Sequence, residues 1–124
     1  MTLANEVEAD LFLSIHNNAS NKPEINGTET FYFKNLNDLR GKNIATILQN
    51  SIIQTLAMKD RKTKADTGYY VLKNTKMPAV LLEVGFLSNA QDRAKLTQPN
   101  FSWNLAQIIY NGISQHFQDP NNLN

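Results

Sequence analysis

Two ionisable side chains in this 124-residue chain stand against apolar runs. His16 follows Leu11-Phe12-Leu13-Ser14-Ile15, and Glu83 lies within Pro78-Ala79-Val80-Leu81-Leu82-Glu83-Val84-Gly85-Phe86-Leu87-Ser88-Asn89. A carboxylate in apolar surroundings costs several kcal/mol unless it is paired, hydrogen-bonded or neutralised. Glu83 therefore either reaches water or a cation at the end of its strand, or it carries chemistry. A lone histidine beside an apolar strand is more often a hydrogen-bonded core or rim residue than a ligand. Together the two say more, because buried strands that each end in a titratable group can bring both groups to one edge of a sheet. An imidazole and a carboxylate placed so suit a zinc hydrolase, with His16 as a ligand and Glu83 as general base toward a metal-bound water.

Other residues offer less. Asn17 and Asn18 can orient neighbours or meet a substrate, although asparagine after a strand is more often a turn residue. Nothing in the spacing of Glu29 and Glu83 supports a glycosidase carboxylate pair. Ser14 and Ser88 lack a nucleophile-elbow context, the five glycines are too scattered to cradle a phosphate, and no HExxH pair occurs. Zero cysteines exclude thiolate metal sites, disulfides and cysteine nucleophiles, so a metal here would use His, Asp, Glu or water. His116, near the end of the last helix, suits the helix dipole and has no catalytic assignment.

The elements that must position these groups are readable from periodicity. Leu11–Ile15 is short and nearly continuously apolar, as a buried parallel strand is. Thr28–Phe33 alternates and is rich in β-branched and aromatic residues, which predicts a strand nearer the sheet edge. Asp38 is the expected cap of a long helix to about Met58, with Ile44, Leu48, Ile52 and Leu56 recurring every four residues. Lys59–Asp66 is expected to be a charged loop whose basic residues could also contact an anionic substrate. Tyr69–Lys73 and Ala79–Val84 read as strands, with Pro78 acceptable at a strand start. Asn89 is the expected cap of a short helix through Leu96, with Asp92 in its first turn. Phe101, Leu105, Ile108, Ile109, Gly112, Ile113 and Phe117 form one helical stripe. This order predicts an α/β fold, a mostly parallel sheet flanked by helices.

Composition closes off several function classes. Hydrophobic residues make up 41% and charged residues 19%, as in an ordinary globular domain. A formal net charge of +1 gives no electrostatic case for nucleic acid or an anionic membrane. No run approaches a membrane-spanning length, and Met1–Asn5 carries neither part of an export signal.

The blocks Ala9-Asp10-Leu11-Phe12-Leu13-Ser14-Ile15-His16-Asn17-Asn18-Ala19, then Gly27-Thr28-Glu29-Thr30, then Pro78 to Asn89 with Asp92 resemble those of zinc-dependent N-acetylmuramoyl-L-alanine amidases of the amidase-3 type. The resemblance runs across nearly the whole chain. It implies an α/β fold and cleavage, by zinc-activated water, of the peptidoglycan amide between the lactyl group of N-acetylmuramic acid and L-Ala. The implied location is the cell wall, outside the cell or in the periplasm. His16 matches the later zinc-binding histidine, Glu83 matches the catalytic glutamate that is not a ligand, and Asn18 is kept as the substrate-binding candidate. The family's other two zinc ligands lie upstream of anything present here, so a strand, helix and strand of on the order of 30 or more residues is expected to be missing. Residues 1–118 then form an incomplete catalytic domain, 119–124 a tail, and the chain alone is expected to be inactive. Where the family has Arg-Gly, this chain has Arg61-Lys62. Two readings stand beside this one. One is a non-catalytic remnant that binds cell-wall glycopeptide or a partner chain, including a second copy through an exposed sheet edge. The other is an unrelated α/β binding protein with a structural Glu83.

Overall fold

The computed structural model describes residues 2–66 and 75–120. A short helix α1 (Thr2–Glu6) leads into strand β1 (Phe12–Asn18), followed by β2 (Thr28–Phe33), the long helix α2 (Arg40–Leu56), β3 (Asp60–Asp66), β4 (Ala79–Phe86), α3 (Ala90–Leu96) and α4 (Phe101–Gln118). The four strands form one sheet in the order β1-β4-β2-β3, with β1–β4 and β2–β3 parallel and β2–β4 antiparallel. The α/β architecture with a mostly parallel sheet and flanking helices is therefore present. The strand expected at Tyr69–Lys73 falls outside the described residues, as do residues 121–124.

Strand periodicity divides the core. Val80, Leu82 and Val84 point to one face of β4, where Ile44, Ala45, Leu48 and Ile52 of α2 and Phe101 and Ile108 of α4 pack against them. Leu48, Ile52 and Leu82 are fully buried, each contributing about 2 kcal/mol in water-to-interior transfer. The helices approach closely at Gly112, where an added Cβ would lie 2.9 Å from Leu48 Cδ2. On the opposite face Ala79 and Leu81 pack with Phe12, Phe31 and Phe33. Gln49 fixes α2 to the sheet, and its amide is satisfied on both sides. Its Nε2 donates to the Thr28 carbonyl (2.7 Å) and to Asp60 Oδ1 (2.9 Å), while Oε1 accepts from Thr30 Oγ1 (2.8 Å).

Four expectations change. Lys59–Asp66 is not a loop: residues 60–66 form β3, which bonds to β2 in parallel register. Its charges suit a strand at the border of the described sheet, where side chains stay solvated and further pairing is discouraged. Accordingly β2 lies between β4 and β3 rather than at the edge. β1 pairs in parallel as expected, yet it lies at the border of the described sheet, and its residues are partly or fully exposed rather than buried. Asp38 is also not the capping position of α2. That position is Leu39, with no side-chain cap bond, and Asp38 instead accepts from the Arg40 backbone N–H and pairs with its guanidinium (2.8 Å).

Candidate active site

The register of the sheet aligns the predicted pair. His16 of β1 is the direct partner of Glu83 of β4, and Glu83 is in turn the partner of Glu29 of β2. Direct partners project to the same face, with neighbouring strands about 4.8 Å apart, so these side chains form one row. β3 completes it, because Lys64 Nζ hydrogen-bonds Glu29 Oε2 and Arg61 Nε lies 3.7 Å from the same oxygen. All four strands thus contribute ionisable groups to one strip of surface.

Irregularities of both parallel strand pairs lie beside this strip. The register shifts between His16 and Asn18, so that Asn18 faces Phe86 instead of Gly85, and it shifts again between Thr28 and Thr30 opposite β3. Lys62, at φ 72, takes up the second irregularity. Bulges re-aim side chains, and the first turns Phe86 toward the strip while Gly85 packs among Met58, Asp92 and Leu96. Asp92 then secures the far end of β4. Its Oδ2 accepts from the N–H groups of Gly27 (2.8 Å) and Phe86 (2.9 Å), and its own N–H donates to the expected cap, Asn89 Oδ1 (2.9 Å).

Burial and charge set the character of Glu83. The residue is 9% exposed, and among the described residues its buried Oε2 has no hydrogen-bond partner. Burial pushes its carboxyl above the ordinary carboxylate value, His16 opposes this, and the nearby charge of Glu29 adds to it. A buried carboxylate with an unbonded oxygen and a raised pKa is suited to exchange protons. His16 is exposed, and its Nε2 lies 2.8 Å from Ser14 Oγ. Asn18 is half-buried, and its Oδ1 accepts from the Ala19 N–H (2.8 Å), a local turn contact. Asn17 is exposed. Ser88 accepts from the Ser20 N–H (2.9 Å) and joins the loops that follow β1 and β4. His116 is far from the strip in sequence and role: it is fully buried, with Nδ1 accepting from Asn43 Nδ2 (2.9 Å).

Among the described residues, no three His, Cys, Asp or Glu side chains are grouped so as to hold a metal ion. A catalytic zinc normally takes three protein donors, and these residues do not fit it by themselves. Glu29 is the nearest additional carboxylate in register, and it is already engaged by Lys64.

A family model described as N-acetylmuramoyl-L-alanine amidase, Amidase_3, matches residues 1–115. The chain belongs to the amidase-3 family. Among family relatives, the N-acetylmuramoyl-L-alanine amidase LytC of Bacillus subtilis is 37% identical over 115 residues, covering 93% of this chain and 23% of LytC. The germination-specific N-acetylmuramoyl-L-alanine amidase of the same organism is 33% identical, covering 94% of this chain and 48% of its own length. Solved amidase structures superpose closely. The catalytic domain of CwlV from Bacillus (Paenibacillus) polymyxa gives a TM-score of 0.84 at 35% identity, covering 94% of this chain and 63% of that one. An amidase of Clostridium difficile 630 gives 0.87 at 30% identity, covering 96% and 63%. The chain thus spans less than two thirds of each of these amidase-3 proteins. The family is zinc-dependent.

Glu29, Arg61 and Lys64 are the site residues that sequence reading missed as a unit. The available signal was an acid flanked by two threonines in an alternating strand, followed by a basic segment, but register alone joins them.

Proposed function

We propose that this protein is a peptidoglycan hydrolase of the cell wall. Its reaction is hydrolysis of the amide between the lactyl group of N-acetylmuramic acid and L-Ala of the stem peptide. The observation that carries this reading is the pairing of His16 with a buried Glu83 whose Oε2 has no partner. In the role we assign, Glu83 takes a proton from the attacking water and returns it to the departing amine, and burial makes it a better base than a solvated carboxylate. His16 is the one zinc donor that we assign in this chain. We place the other two donors in the part of the relatives that the match does not span. Asn18 stands beside Phe86 at the end of the strip and is assigned to substrate contact.

On this reading the isolated chain has little or no activity. The test is release of peptides with a free L-Ala amine from purified peptidoglycan in the presence of zinc. It compares this chain with a chimera that carries the unmatched portion of a relative's catalytic domain ahead of it. Release by the chimera, and its loss by about 1,000-fold or more in a Glu83→Gln chimera, is the expected result, since the assigned general base would be gone. An active Glu83→Gln chimera overturns the assignment.

A second reading, a non-catalytic partner-binding remnant, has one observation in its favour. β1 lies at the border of the described sheet with Ile15 50% exposed. Sedimentation as a monomer at all concentrations would remove self-association from it.

A further inference from the structure

Arg61 has no structural task that uses its full hydrogen-bonding capacity. The charge of Glu29 is already answered by Lys64, which hydrogen-bonds Oε2. Arg61 Nε stands 3.7 Å from that oxygen, an ion pair beyond hydrogen-bond range, and among the described residues this buried nitrogen has no hydrogen-bond acceptor. Its guanidinium lies over the Phe86 ring, 5.2 Å from the centroid, an attraction that holds the group there without satisfying its donors. The side chain is 28% exposed, so part of the group remains open to a ligand. A planar cation resting on an aromatic ring, with its buried Nε unbonded among the described residues, is suited to a carboxylate, which guanidinium binds with matched geometry.

Position says where that carboxylate must be. The guanidinium lies over Phe86, which is three residues along β4 from Glu83, and so stands roughly 10 Å from Glu83 along the strand. An extended peptide covers that distance in about three residues. We propose that Arg61, braced by Phe86 and Glu29, is a specificity-determining residue that binds a carboxylate of the substrate peptide, close in sequence to the amide cleaved. This rests on the amidase reading and narrows it to peptides with free acidic groups.

The test is an NMR titration of this chain with N-acetylmuramoyl-L-Ala-D-glutamate, and with the same compound amidated at both glutamate carboxyls. The free acid should bind about tenfold more tightly, the order expected of one charge-assisted hydrogen bond, and should shift the Arg61 Nε–H resonance where the diamide does not. In Arg61→Gln the preference should vanish, and in Arg61→Lys, which keeps the charge but not the plane, it should persist in part. Where Arg61→Gln fails to fold, the wild-type resonance decides. Equal affinities, an unmoved Arg61 resonance, a retained preference in Arg61→Gln, or binding of neither compound overturns the proposal. Equal binding of both compounds leaves the amidase reading intact, because that reading stands or falls on the hydrolysis assay with Glu83→Gln.

Discussion

Glu83 and Glu29 face each other across the antiparallel β4–β2 pair, two buried carboxylates in direct register, and among the described residues only Glu29 forms ion pairs with lysine or arginine. Like charges opposite each other destabilise a sheet. Lys64 and Arg61 relieve this on the Glu29 side, leaving Glu83 as the group pushed toward its neutral form.

Titration of Glu83 should follow its neighbours. Glu29→Gln removes a charge that raises its pKa, so the midpoint should fall; His16→Ala removes a charge that lowers it, so the midpoint should rise further. Carboxyl NMR titration reads both, and a midpoint that moves the other way in either variant contradicts the electrostatic account. The same shift predicts a stability profile. A folded-state value above the ordinary 4.5 means that Glu83 is not penalised below that pH, and that its cost appears as pH rises through the folded-state value. Relative to the wild type, Glu83→Gln should therefore melt higher at neutral pH than it does in acid.

Zinc should be held weakly by this chain. Complete four-ligand structural sites bind zinc with roughly 10–16 kcal/mol, and one imidazole retains a small fraction of that. Elemental analysis after dialysis should find well under one zinc per monomer, and His16→Ala should remove most of what weak binding a titration detects. One tightly held zinc per monomer would show that the donors assigned elsewhere are present here.

Asp92 is expected to be the most sensitive polar residue near the strip. It is 2% exposed, and replacing it with alanine strands the Gly27 and Phe86 N–H groups, at a cost of about 2–4 kcal/mol. Gly27→Ala should cost about 2 kcal/mol or more, since at φ +113 an added Cβ would lie 2.6 Å from the Lys59 carbonyl oxygen. Because Asp92 binds the Gly27 N–H, the double variant should lose less than the sum. Urea denaturation measures all three, and strict additivity would deny the coupling.

His116 makes the docking of α4 on α2 sensitive to acid. Burial and the Arg40 guanidinium hold its ring below the ordinary 6.5, against smaller pulls from Asp119 and Asp38. The unfolded ring gains its proton near 6.5 while the folded ring resists, so the contribution is intact above that pH and is lost as pH falls toward the folded-state value. Thermal melts should show the wild type losing stability faster than His116→Gln as pH drops below 6.5. Parallel pH profiles would refute the role given to this ring.

Helices were legible because their packing repeats along the chain. The four-residue recurrence of Ile44, Leu48, Ile52 and Leu56, and the Asn89 cap with Asp92 three residues on, are local patterns that the folded chain uses. β3 was not legible, since Asp60–Asp66 has no apolar alternation and owes its extended form to hydrogen bonds from β2. Asp38 misled for a related reason: its carboxylate does accept from the first N–H of α2, but it also pairs with the Arg40 guanidinium, and the helix begins one residue later than a cap at Asp38 requires.

By itself the sequence determined the α/β class, the two apolar strands that carry His16 and Glu83, and the membership in a family that its motifs share. Those features depend on residue type and short-range order. Only the tertiary structure decided that His16, Glu83, Glu29 and Arg61 stand in one row, because strand register is set by hydrogen bonds between segments as much as 68 positions apart in the chain, and a slip of one residue would turn each side chain to the other face.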